Sequence, residues 1–166
     1  MSDTKKAGAS YQVEVKLKAD YSDAEGLAAL GLLHALGVNT AKEVRASRIY
    51  ELKGPLTSAQ VQQATRDLLC DPVTQEFRMI NGATPVLNGA NHWRIEVWLK
   101  SSVTDPVGET VRSALCEMGL ASPDTVRVGT VYHVTGKCGR NQLEKAVARC
   151  LANPVIHRFT VNEAPL

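Results

Sequence analysis

Val13-Glu14-Val15-Lys16-Leu17-Lys18 lies over Ile95-Glu96-Val97-Trp98-Leu99-Lys100 at a shift of 82 residues, and the same shift carries residues 11–79 onto 93–161 without a gap. Val44-Arg45 and Tyr50 fall on Val126-Arg127 and Tyr132; Asp71-Pro72-Val73 meets Asn153-Pro154-Val155; Phe77 meets Phe159. A register shared by so many separate stretches marks a tandem duplication. Any fold or function must therefore suit a pseudo-symmetric object.

Within each copy the pattern reads as alternating strands and helices. Val13, Val15 and Leu17, like Ile95, Val97 and Leu99, alternate with charged residues, the period of a strand with one buried face. Ser22-Asp23-Ala24-Glu25 offers a capping box, and Asp105-Pro106 offers an N-cap acceptor with proline at the first helical position. The helices that follow carry apolar residues at Ala29, Leu32, Leu33 and Leu36, and at Val111, Ala114, Leu115 and Met118; Gly37 and Gly119 stop them. A second strand is expected over 44–52 and 126–134, long enough to bend or split at Ser47/Gly129. A second helix follows, with Val61, Ala64 and Leu68 matching Leu143, Ala146 and Cys150. Pro72 and Pro154 end it before a last strand holding Phe77 or Phe159.

The expected fold is α+β: two β-α-β-α-β repeats, each a two-layer sandwich of antiparallel sheet and two helices, packed as a pseudo-twofold intramolecular dimer. The expected boundaries are a flexible tail at 1–10, one repeat at 11–79, a Gly, Asn and Pro-rich linker at 80–91 and a second repeat at 92–166. A lone repeat of this size would bury only about 60% of its unfolded surface, so each copy gains stability from the other.

Nineteen basic against seventeen acidic residues, without charge runs, point to neither nucleic acid nor membrane. The polar first ten residues carry no apolar stretch of a signal peptide, and no apolar run is long enough to span a bilayer, so a cytoplasmic location is expected. Cys70, Cys116, Cys138 and Cys150 face Ala152, His34, Leu56 and Leu68 in the other copy. Cysteines that do not recur read as free thiols rather than a shared disulfide or metal site. His34, His92, His133 and His157 likewise lack counterparts. Glu14 and Glu96 do recur, and read as solvated or salt-bridged carboxylates on strand outer faces. Trp98 shares that outer face: either it is an isolated exposed aromatic, or the face packs against something, most simply the other repeat or a partner. No phosphate-binding glycine loop, zinc motif or nucleophile elbow occurs. No catalytic residue, metal ligand or cofactor is expected.

The second copy combines Val97-x-Leu99-Lys100, Asp105-Pro106-x-Gly108, Val126-Arg127-x-Gly129 and Leu151-Ala152-Asn153-Pro154-Val155-Ile156. In that combination it resembles PurS, the small subunit of phosphoribosylformylglycinamidine (FGAM) synthase. The first copy keeps Leu17-Lys18, Asp23, Gly26, Val44-Arg45 and Pro72-Val73. The resemblance implies a non-catalytic subunit in purine biosynthesis that bridges a glutaminase (PurQ-like) and a large ATP-using synthetase (PurL-like) and supports ammonia transfer between them. It also implies a covalently joined equivalent of a dimer of single-repeat members, with further self-association open. The residues expected to face partners are Lys18, Arg45, Lys100, Arg127, Asn153 and His157. Thr130 and Arg48 stand where the family commonly has Lys, and His157 where it commonly has Glu. The alternative reading is a stand-alone ligand-binding or regulatory α+β module.

Overall fold

The structure, a computed structural model, describes residues 6–80 and 91–163. The elements follow the expected order twice: β1 (Lys6–Leu17), α1 (Ala24–Ala35), β2 (Ala41–Leu56), α2 (Ser58–Ala64) and β3 (Gln75–Ile80), then β4 (His92–Leu99), α3 (Pro106–Glu117), β5 (Thr125–Gly136), α4 (Arg140–Cys150) and β6 (His157–Glu163). The strands hydrogen-bond in the order β3-β1-β2-β5-β4-β6. The architecture is α+β, as expected. β1 starts inside the stretch read as a tail, so 6–10 are strand. Of the expected linker, 81–90 lie outside the described residues, as do residues 1–5 of the tail.

The compact units of the molecule do not coincide with the sequence repeats. One unit gathers the described residues within 1–21, 48–82 and 104–128; the other gathers those within 22–47, 83–103 and 129–166. Each unit therefore takes the first helix of one copy and the second helix of the other. The cores are divided the same way. Val13, Val15, Leu52, Leu56, Val61 and Ala64 of the first copy pack with Leu115, Ala121 and Val126 of the second. In the other unit Ala29, Leu33, Val38 and Val44 of the first copy pack with Ile95, Val97, Leu143, Val147 and Val161 of the second.

Strand length is the cause. At roughly 3.3 Å per residue the 16-residue β2 is about 50 Å long, whereas a domain of about 70 residues has a radius of gyration near 11 Å. Such a strand cannot end inside one small unit. β2 passes from one unit to the other between residues 47 and 48, and β5 between 128 and 129, which is where the sequence places its bend.

Asp23 and Asp105 fix the first helices. Asp23 Oδ1 accepts the N–H of Gly26 at 2.8 Å, capping α1, while its Oδ2 accepts the N–H of Ala46 on β2 at 2.6 Å. Asp105 repeats both bonds, to Gly108 and to Val128 on β5, each at 2.9 Å. The box of reciprocal cap bonds belongs not to α1 but to α2, between Thr57 and Gln60. Gly26 and Gly108 let the helix press against the strand. A Cβ at either would stand 2.2 or 2.1 Å from the carbonyl oxygen of Val44 or Val126.

This contact sets the helix rotation. Gly26, Ala29 and Leu33 face inward, and Gly108 and Leu115 do so in α3, so Leu32 and Met118, expected in the core, are exposed. Gly37 and Gly119 follow the helices with φ of 89° and 68°, the left-handed closure expected of them.

The second helices differ. α4 is regular over eleven residues, but α2 passes after Ala64 into a π turn, Thr65–Leu69. The buried Thr65 hydroxyl donates to the Val61 carbonyl at 2.7 Å, and the Cys70 N–H reaches back five residues to the Thr65 carbonyl. A side chain competing for the helical carbonyl loosens the turn. Val147 stands at the equivalent place in α4 and has no hydroxyl to compete, although its carbonyl likewise accepts the Ala152 N–H from five residues on.

Candidate partner interface

Two turns, one in each unit, hold most of the residues singled out from the sequence. Between the π turn and β3, Asp71 Oδ1 accepts the Val73 N–H at 2.9 Å and Oδ2 accepts the Thr74 hydroxyl at 3.0 Å. These bonds, the Val73 amide foremost, hold the Asp71 carboxyl below the ordinary carboxylate range. Gln75 Oε1 accepts the Asp71 N–H at 2.9 Å and closes the turn. Lys18 clamps it from β1: its backbone N–H donates to the Thr74 carbonyl and its ammonium donates to the Pro72 carbonyl at 2.8 Å.

Between α4 and β6 the same turn is built from other side chains. Asn153 Oδ1 accepts the Val155 N–H at 3.1 Å, and His157 Nδ1 accepts the Asn153 N–H at 2.9 Å. His157 thus does the work of Gln75, its equivalent at the shift of 82, and must carry its ring hydrogen on Nε2 to do so. The Lys100 N–H donates to the Ile156 carbonyl at 2.8 Å, as Lys18 does to Thr74.

Of the six candidate residues, the structure brings Lys100, Asn153 and His157 together at one turn and puts Lys18 at the other. Asn153 and His157 serve the turn itself. Arg45 and Arg127 lie elsewhere, half-buried on β2 and β5, each one residue before the amide caught by Asp23 or Asp105. What the turns offer outward is apolar: Val73 is 68% exposed, Val155 78%, and Ile156 adds to the second tip. An aliphatic tip on a hydrogen-bonded turn beside a lysine suits protein contact rather than bond-making chemistry.

The outer strand faces are less alike. Glu14 is 1% exposed and pairs with Arg78, directly across the β1–β3 ladder, at 3.1 Å. Glu96, its equivalent, pairs instead with the buried Arg94 on its own strand at 3.0 Å and accepts the Trp98 indole N–H at 3.3 Å. The guanidinium of Arg158 lies 5.7 Å from the Trp98 ring centroid, so Trp98 is packed by side chains of its own unit. The carboxylates are salt-bridged, but Glu14 is far from solvated.

Strand pairing makes one contact that the sequence hides. His92 Nε2 and His133 Nδ1 approach to 3.2 Å, with the rings edge-on, because Arg94 on β4 lies opposite His133 on β5. The His34 ring donates to the Ala41 carbonyl at 2.7 Å. Burial pushes the Cys70 and Cys150 thiols above their ordinary value, with Asp71 adding to the effect at Cys70, which disfavours a reactive thiolate. Burial likewise raises the Tyr50 phenol. Among the described residues no group of three or more His, Cys, Asp or Glu is placed to hold a metal ion, and no helix is long and apolar enough to cross a membrane.

Comparison with known proteins adds an independent line. The family model described as PurS, phosphoribosylformylglycinamidine (FGAM) synthase, matches twice, over residues 10–81 and 92–164. The phosphoribosylformylglycinamidine synthase subunit PurS of Synechocystis sp. is 32% identical over 80 residues, which are 45% of this chain and 80% of that one. A crystal structure of PurS from B. subtilis is 31% identical and covers 43% of this chain and 98% of its own, with a TM-score of 0.38.

Proposed function

Since the chain belongs to the PurS family, matched over both of its copies, we propose that it is the small, non-catalytic subunit of FGAM synthase, holding the glutaminase and the ATP-using synthetase subunits together. The single observation that carries this reading is the double family match over a chain whose recurring polar residues serve as scaffold. Asp23 and Asp105 are spent on helix caps, and Asp71 and Asn153 on turns. Such a subunit contributes by positioning larger partners.

In this reading one chain with two repeats, 11–79 and 92–166 joined by the linker 80–91, stands in for a dimer of single-repeat subunits. Joining the copies makes their encounter intramolecular and removes its dependence on concentration. The exposed Val73 tip with Lys18 in one unit, the Val155 tip with Lys100 in the other, and, apart from the tips, Arg45 and Arg127 are the residues offered to the larger subunits, in the cytoplasm where purine synthesis runs. Ammonia passed from glutaminase to synthetase needs a route closed to water, and a bridging subunit helps seal it.

Reconstitution of the glutaminase and synthetase subunits with and without this chain tests the proposal. Glutamine-dependent turnover is expected to fall severalfold on omission while turnover with added ammonia falls much less. Unchanged glutamine-dependent turnover would contradict it.

A further inference from the structure

The outer face of β4 and β5 carries two imidazoles at places where the first copy has none. His92 and His133 are 41 residues apart in the chain. Strand register brings them together: His92 lies opposite Thr135 and Arg94 opposite His133, so the histidines are diagonal neighbours on one face of the ladder. Both belong to the same compact unit. At the shift of 82 their places are taken by Ser10 and Glu51, and Glu51 is spent on Gln12, at 3.1 Å, and on Lys53, at 3.4 Å. The sheet therefore does not require histidine at either position.

The spacing of the two rings fits a metal ion. Nε2 of His92 stands 3.2 Å from Nδ1 of His133. A neutral pair at that distance shares one hydrogen, donated by one ring to the lone pair of the other. A metal ion can take the place of that hydrogen. With zinc–nitrogen bonds of about 2.0–2.1 Å, nitrogens 3.2 Å apart subtend roughly 100° at the ion, close to the tetrahedral angle that zinc adopts. The ring that donated moves its hydrogen to its other nitrogen, so a neutral pair accepts the ion without losing a proton.

The surroundings agree with this chemistry. His92 is 7% exposed and His133 half-buried, which holds the rings in place and leaves the His133 side open to water for the rest of the ion's shell. The neighbouring cation is already matched, because Arg94 donates from Nε to Glu96 Oε1 at 3.0 Å and is ion-paired with the same carboxylate. Imidazole nitrogens suit zinc, copper or nickel, whereas magnesium and calcium take oxygen.

We propose that His92 and His133 chelate a divalent transition-metal ion, zinc foremost, as a clip between β4 and β5, and that the equivalent Ser10 and Glu51 do not. This inference does not depend on the function proposed above. Two protein nitrogens, with water completing the shell, make a weaker site than the three or four ligands of a catalytic or structural zinc centre.

Zinc chloride titrated into the full chain at neutral pH, followed by calorimetry and by long-range proton–nitrogen NMR spectra of the imidazole rings, reads the site. One ion per chain is expected to shift the ring nitrogens of His92 and His133 and to leave those of His34 and His157 unmoved. The melting temperature is expected to rise with zinc and not with magnesium. His92→Gln and His133→Gln are expected to weaken zinc binding roughly tenfold or more, while His34→Gln leaves it intact. Cobalt in place of zinc is expected to give the visible absorption of a tetrahedral site without the charge-transfer band of a thiolate ligand. Ring signals of His92 and His133 that ignore zinc, or zinc binding that survives both substitutions, would overturn the proposal. So would a thiolate band in the cobalt spectrum, because the ion would then sit at a cysteine.

Discussion

The two compact units are held by the same devices and finished by different ones. In each, an aspartate caps the first helix and takes a strand amide with its second oxygen, and a glycine three residues on lets the helix touch the strand. Away from those contacts the units part. Glu14 finds its arginine across the ladder and Glu96 finds one on its own strand; a threonine loosens α2 where α4 stays regular; α1 shows Leu27 and Leu32 to solvent where α3 carries Glu109 and Ala114. Duplication has preserved the joints through which each unit uses a helix from one copy on a strand of both. It has left the surfaces free to specialise.

The sharpest way to break this comparison is at the shared glycines. Gly26→Ala and Gly108→Ala force a methyl carbon into a backbone carbonyl that cannot swing away, and each is expected to cost about 3 kcal/mol or more. Gly31→Ala, on the open side of α1, is expected to stabilise by about 0.5–1 kcal/mol through helix propensity. Urea denaturation measures all three, and a harmless alanine at either 26 or 108 would show that the two joints are not equivalent.

Next in size come the aspartates. Asp23→Ala and Asp105→Ala each remove an N-cap and strand a half-buried amide, for roughly 2–3 kcal/mol by the same measurement. Equal losses support the shared joint; a loss confined to one unit breaks it.

The turns yield a smaller effect and a chemical distinction. His157→Gln places in the second turn the acceptor that Gln75 supplies in the first, and is expected to be nearly neutral in thermal unfolding, whereas His157→Ala and Gln75→Ala each cost about 1 kcal/mol. The smallest effect is a pH dependence peculiar to the first turn. The folded state holds the Asp71 carboxyl below its ordinary value, so its contribution is complete above about pH 4 and is lost as the pH falls through the lowered value. Asp71→Asn, which copies Asn153, should leave melting near pH 7 unchanged and shrink the fall in melting temperature between pH 4 and pH 2. A fall of unchanged size would assign that acid sensitivity to other carboxylates.

Much of this was readable from residues. Period-two strands, the Asp-Pro helix start, the closing glycines and the prolines after the second helices are local signals, and the elements appear where those signals stand. Which helix lies on which strand is not a local property. Its trace was the length of the middle strand, since a run from Ala41 to Leu56 is too long for one small unit. The rotation of α1 was also hidden, because Leu32 and Leu33 look alike until Gly26 is seen to touch Val44. At the candidate interface, the match of Gln75 with His157 could have revealed a turn-closing role, whereas the meeting of His92 with His133 needed the register of β4 on β5.

The central claim is that neither sequence repeat is a complete folding unit. Expressing residues 1–85 and 86–166 as separate chains, and following each alone and mixed by circular dichroism and sedimentation, tests it most directly. The account predicts that neither half gives a cooperatively melting monomer and that mixing them restores a one-to-one complex with the melting transition of a folded protein. A half that folds alone as a stable monomer would contradict it.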